Sequence, residues 1–223
     1  MNSSVPKSYV SMVIVLGSVW GLSEAALGMG LRSCAASVSG SVMTGVALFF
    51  MAAGWVISRR IIGVFLMVLI ASGFKIFDAL LLSLPLNHGA IGNPIFAFFM
   101  EAMAFVILVS IIRETVFRKP AGQVLLGGLS AVLAANLFPL VKYATGVPAC
   151  VAPGTGYPLS LYYVHFAVLV SVIAVPMGFW VGARMRAFEI RLFKARTQRT
   201  FDFILSPAAL ILCLIIIALL RLA

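Results

Sequence analysis

The 223-residue chain contains only six acidic residues, and three of them, Glu24, Asp78 and Glu101, interrupt long apolar runs. Lys75 stands in the same setting, and Asn136 and His165 lie in two further runs. An ionisable side chain within such a run costs on the order of several kcal/mol unless it is paired or hydrated, so each marks a candidate functional site. Carboxylates accept hydrogen bonds or bind cations, a lysine supplies counter-charge, and an imidazole donates a hydrogen bond or ligates a metal. Glu24 and Glu101 are therefore read as acceptors for a cationic or hydrogen-bonding group, Lys75 as their counter-charge, and His165 as a donor or metal ligand. Lys75 and Asp78 are three apart and can meet on one helix face, while pairing of Lys75 across helices with Glu24 or Glu101 is equally allowed. A neutral ion-pair network that only fixes packing would use one Lys and one Asp, leaving two carboxylates and a histidine over.

The elements that must carry these residues follow from composition. Hydrophobic residues make up 63% of the chain and charged residues 10%, against roughly a quarter charged in a soluble domain. At about 20 residues per span, the chain has room for six or seven membrane helices and no separate soluble domain. Apolar runs bounded by charge, Pro or Gly predict an all-α, polytopic membrane bundle of about seven helices, at about 8–31, 38–58, 61–86, 93–117, 121–143, 158–183 and 203–222. The first run has no A-x-A-like cleavage site and is read as a retained helix.

Arg59 and Arg60 follow the second run, Arg113, Arg118 and Lys119 the fourth, and Arg184, Arg186, Arg191, Lys194, Arg196 and Arg199 the sixth. Positive-inside bias makes these loops cytoplasmic, which predicts a plasma-membrane protein with its N-terminus inside and its C-terminus outside. The alternation of basic residues with Phe188, Ile190, Leu192 and Phe193 suggests that residues 184–199 lie along the anionic inner surface. At about 1.5 Å per residue, Glu24 lies about 24 Å along the first helix, and Lys75 and Asp78 about 21 to 26 Å along the third. Glu101 is about 12 Å and His165 about 10 Å below the outer ends of their helices, with Asn136 at a similar level. The polar residues thus share the outer half of the bilayer, a pattern that a solute pocket open to the outside explains.

Other classes carry less weight. The net charge of +10 resides in short loops, so it reports orientation and not a nucleic-acid partner. Cys34, Cys150 and Cys213 form no C-x-x-C motif; Cys34 and Cys150, both in outer loops, are candidates for a disulfide. His88 and His165 could ligate a haem iron or another metal, which keeps a haem- or quinone-binding subunit as an alternative. A structural subunit of a larger membrane complex is a further alternative. H-E-x-x-H and G-x-S-x-G are absent, so no catalytic motif is recognised. The last run holds no lysine for a retinal Schiff base. No internal repeat is evident, which counts against an inverted-repeat carrier. The sequence names no cofactor.

Gly17, Gly21 and Ala25 recur every four residues in GSVWGLSEAALG, spacing that lets another helix approach closely, either from a partner subunit or from the same bundle. Tyr157, Tyr162, Tyr163 and Trp180 suit interfacial anchoring, and Tyr162 and His165 can share a face. With this small-residue stripe in helix one and a polar cluster beneath the outer loops, residues 8–183 resemble the substrate-binding S components of energy-coupling factor transporters. Members of that family have six helices, so the run at 203–222 is a departure. The resemblance implies capture of a vitamin-like molecule or metal ion from outside and transport driven by a separate ATPase and coupling module. The chain has no G-x-x-x-x-G-K-[ST] loop of its own. The sequence thus reads as a bilayer-embedded protein binding a small polar or charged solute, with Glu24, Lys75, Asp78, Glu101, Asn136 and His165 as the lining.

Overall fold

Within a hydrocarbon layer no water satisfies the peptide groups, so apolar runs of this length fold as helices that close their own hydrogen bonds. The computed structural model describes residues 9–30, 36–146, 151, 154–194 and 198–222, and these form an all-α bundle. Helices α1 (Tyr9–Gly30), α2 (Ala36–Ser58), α3 (Ile61–Leu81) and α4 (Gly89–Ile111) follow one another through short connections. A one-turn α5 (Glu114–Phe117) leads into α6 (Pro120–Leu137), which a 3-10 turn prolongs into α7 (Val141–Thr145). A one-turn α8 (Leu159–Tyr162) precedes α9 (Val164–Lys194) and α10 (Gln198–Leu222). Seven of the resulting segments are long and apolar enough to cross a membrane, with α6 and α7 counted as one. The chain is an integral membrane protein.

Two boundaries differ from the sequence expectation for physical reasons. Helix α4 starts at Gly89 because His88 accepts the Ala90 N–H through Nδ1 at 3.2 Å, satisfying a donor that has no partner within the helix. Helix α9 does not end near 183. It continues to Lys194 as one 31-residue helix, because residues 184–194 contain neither Gly nor Pro and consist largely of good helix formers. At about 1.5 Å per residue it is longer than the roughly 30 Å hydrocarbon layer, so its basic end projects beyond the layer. The stretch to Lys194 is therefore a continuation of α9. Residues 195–197, and Cys34 and Cys150 with their proposed disulfide, lie outside the described residues.

Helix α9 packs along α2 and α6, while α1 packs along α3 and α10. Small residues permit both close approaches. A Cβ on Gly178 would stand 2.3 Å from the Phe49 carbonyl oxygen, so only glycine fits between α9 and α2 there. A Cβ on Gly21 would stand 2.5 Å from the Phe74 ring, and Ala25 is buried with Phe74, Cys213 and Ile217. The small-residue stripe of α1 is thus occupied by α3 and α10 of its own bundle.

Arg59, Arg60, Arg113, Arg118, Lys119, Arg184 and Arg186 gather at one end. Arg59 pairs with Glu114 at 2.9 Å, and Arg186 donates to the Val56 carbonyl at 3.4 Å, joining the α2/α3 and α4/α6 connections to α9. At the opposite end the Ser41 hydroxyl donates to the Tyr163 carbonyl at 3.2 Å and Ser160 to the Ala135 carbonyl at 3.1 Å. These two bonds bring the start of α2, the α8/α9 junction and the end of α6 together around a cavity.

Candidate functional site

The cavity has a volume of about 370 Å³ and is lined by α1, α2, α4, α6 and the α8/α9 junction. Most of its wall is apolar, from Met43, Phe98, Met100, Ala131, Ala134 and Phe138. Two carboxyl groups interrupt that wall. Glu24 comes from α1, in register with Trp20 one turn earlier, and Glu101 comes from α4, two turns beyond Asn93. Both are buried, at 1% and 5% exposure, where an ionised group has to find partners or a counter-charge.

Partial satisfaction of these acids is the notable chemistry. The Trp20 indole, itself buried against Phe98 at 5.1 Å between ring centroids, donates to Glu24 Oε1 at 3.2 Å. Glu24 Oε2 has no protein partner. Glu101 lies beside the Thr44 hydroxyl of α2 and faces Glu24, with both acids in the same lining. The Asn93 side-chain oxygen, also in the lining, is buried without a partner as well. Unfilled buried acceptors cost about 1–3 kcal/mol each, so the arrangement suits a ligand that brings donors.

Lys75 and Asp78 are placed elsewhere. Both are buried, at 5% and 1% exposure, on the side of α3 that meets α1 and α10. The Lys75 ammonium is 3.7 Å from Asp78 Oδ2, the i,i+3 pairing that the sequence allowed. Arg221 of α10 forks onto the same carboxylate, Nε to Oδ1 and Nη2 to Oδ2, the latter at 2.7 Å. Lys75 also attracts Glu24 across the α1/α3 contact, so it stands between the ion-pair group and the cavity without lining the latter.

No family model, curated protein or solved structure matches this chain. The functional reading therefore stands on the site itself.

Asn136 and His165 reach the right level but face away from the cavity. Ala131, Ala134 and Ala135 of α6 line it, whereas Asn136 is turned out by one further residue, is exposed and donates to its own Val132 carbonyl at 2.8 Å. Tyr163 and Ala167 line it from the α8/α9 junction and α9, and His165, midway between them, points to the opposite face, exposed and against the Phe166 ring. His88 is exposed and its Nδ1 is engaged in capping α4. Among the described residues no group of three or more His, Cys, Asp or Glu side chains could hold a metal ion.

The sequence reading missed Ser41, Thr44, Asn93 and Arg221. Their signals were present. Ser41 and Thr44 fall at i,i+3 in α2, and Asn93, Ala97 and Glu101 recur every four residues in α4, each set marking one helix face. Arg221 is the only cation in the 203–222 run and lies near its outer end, at the level of Asp78.

Proposed function

We propose that this protein binds a small organic solute in the cavity between α1, α2, α4, α6 and α9, taking it up from the outer side of the plasma membrane. Positive-inside bias supports the orientation, because Arg59, Arg60, Arg113, Arg118, Lys119, Arg184 and Arg186 all belong to the end opposite the cavity. That orientation puts the N-terminus in the cytoplasm, the C-terminus outside, and the cavity in the outer half. The observation that carries the reading is the convergence of Glu24 and Glu101, from two helices, on one cavity. Its volume falls at the lower end of the range for small-molecule sites, and it is too large for a bare ion.

The arrangement accords with the layout of energy-coupling factor S components, in which a membrane-embedded chain captures solute and a separate ATPase module drives its release inward. Helix α10 is additional to that layout. Because it packs on α1 and α3, it leaves the cavity-lining face of the bundle unchanged.

The test is mass spectrometry of small molecules retained by protein purified in mild detergent, comparing the wild type with Glu24→Gln and Glu101→Gln. Both variants should insert normally and lose the retained solute. Retention of the same solute at wild-type occupancy by both variants would remove the cavity from consideration.

A further inference from the structure

We infer that the solute is a small, largely apolar molecule whose polar end is a protonated nitrogen bearing N–H groups, such as a primary or secondary amine or an amidine. This inference rests on the cavity being the solute site and adds the chemistry of what it takes. Three observations converge on it.

The first is the kind of polar group left open. Glu24 Oε2 and the Asn93 side-chain oxygen are both buried without a partner, and both belong to residues lining the cavity. Both are acceptors. A ligand that completes them has to donate, which a carboxylate, phosphate or quaternary ammonium cannot do. The second is charge. Among the described residues the buried acids are Glu24, Asp78 and Glu101, and the cations that face them are Lys75 and Arg221. Arg221 and Lys75 share Asp78, and Lys75 also acts on Glu24. Glu101 faces Glu24, Thr44 and the cavity, with no cation of its own. Glu101 is thus the carboxyl without a counter-charge, on the cavity side, and a monovalent cation between Glu24 and Glu101 would supply one.

The third is the remainder of the wall. Phe98, Phe138, Met43 and Met100, with alanines at 131 and 134, give the polar end an apolar companion surface. A strongly hydrated divalent cation takes about six or more oxygen ligands, whereas the open acceptors here are Glu24 Oε2 and the Asn93 oxygen, beside Glu101, in a mostly apolar wall. A molecule with an apolar body gains by leaving water, and its ammonium end meets two carboxyls in a low-dielectric setting where a paired charge is held tightly. The inferred class is thus set by open acceptors, a carboxyl without a counter-charge and an apolar wall together.

The experiment uses the full-length protein in detergent, with binding read by thermal stabilisation and confirmed by calorimetry. The probes are phenethylamine, its N-trimethylated analogue, phenethyl alcohol and 3-phenylpropanoate. Phenethylamine should stabilise the protein saturably and bind more tightly than the other three. Glu101→Gln and Glu24→Gln should each weaken it by about 30-fold or more, the loss characteristic of removing one partner of a buried charge pair. Equal or tighter binding of the alcohol or the carboxylate, blocked by the cavity-filling Ala134→Phe, would overturn the inference while the cavity remained the solute site. Equal binding of the trimethylated analogue would overturn the requirement for N–H donors, and no response to phenethylamine would overturn the inference outright. Failure of the cavity reading itself gives a different result, namely a retained native solute whose occupancy Ala134→Phe leaves unchanged.

Discussion

Replacing Asp78 with Asn keeps the size of the side chain and removes the one negative charge that Arg221 and Lys75 share. Asp78 is 1% exposed, and the side chains of Lys75 and Arg221 are 7% and 8% exposed, so both cations would be left buried without their shared counter-charge. Breaking a buried pair in this way costs about 3–5 kcal/mol. The lower end applies, because Arg221 is the penultimate residue of α10 and its guanidinium can swing toward the interface. The loss should fall on the attachment of α10. That helix meets lipid over most of its surface, burying Cys213 and Ile217 against α1 and α3, and lipid supplies no hydrophobic force to hold it there. Cys213 gives a direct readout once Cys34 and Cys150 are changed to Ser, since the chain then has a single thiol. If opening becomes easier by about 3 kcal/mol, the rate of Cys213 alkylation in detergent should rise about 100-fold. Arg221→Gln should raise it less, by about tenfold, because Asp78 keeps Lys75 and the Gln amide can still donate in place of one of the two charged hydrogen bonds. The double variant should fall short of the sum of the two by about 1 kcal/mol or more. An alkylation rate for Asp78→Asn within about threefold of its parent would refute the view that this ion-pair group holds α10.

Further outcomes follow from the same geometry. Gly21→Val should destabilise the fold by about 1–3 kcal/mol in chemical or thermal denaturation, since even a Cβ there meets the Phe74 ring at 2.5 Å. Glu114→Ala should change stability by less than about 0.5 kcal/mol, because its bond to Arg59 is made at the exposed basic end with side chains 40% and 61% exposed. Orientation is checked by single cysteines in a cysteine-free background: an impermeant maleimide applied to intact cells should label Asn87→Cys, and should label Arg118→Cys only after permeabilisation. The opposite pattern would invert the membrane topology and place the cavity on the cytoplasmic side.

What the sequence disclosed was mainly distance along the membrane normal. Composition and run length gave the all-α bundle and its seven spans, and counting residues at a fixed rise placed Glu24, Lys75, Asp78 and Glu101 near one level. Rotation about each helix axis was harder to read. Asn136 and His165 sit at the right level and on the outward face, because a residue one or two positions from a lining residue is turned by about 100° or 200° around the helix. The hydrophobic pattern did not correct this, since in a membrane both the lipid face and the packed face are apolar, and the contrast that orients a soluble amphipathic helix is weak. Phase was legible only where polar residues recurred along one face, as in Asn93, Ala97 and Glu101. Helix partners were harder still. The stripe at Gly17, Gly21 and Ala25 announced a close approach without saying to which helix, and the match between Asp78 and Arg221 spans 143 residues of sequence.

The partition of charge gives the seventh helix a definite consequence for the site. Three acids and one lysine on α1, α3 and α4 would leave Lys75 shared among Glu24, Asp78 and Glu101. By placing Arg221 on Asp78, α10 satisfies that carboxylate away from the cavity, so that the field of Lys75 also falls on Glu24. Glu101 is then the carboxyl without a counter-charge, on the cavity side. Under the proposed function, structural and recognition groups are thereby separated between two faces of the same bundle. Substitutions at Asp78 or Arg221 should act first on the release of α10 and those at Glu24 or Glu101 first on ligand affinity, and a loss of both properties together from any one of the four would contradict that separation.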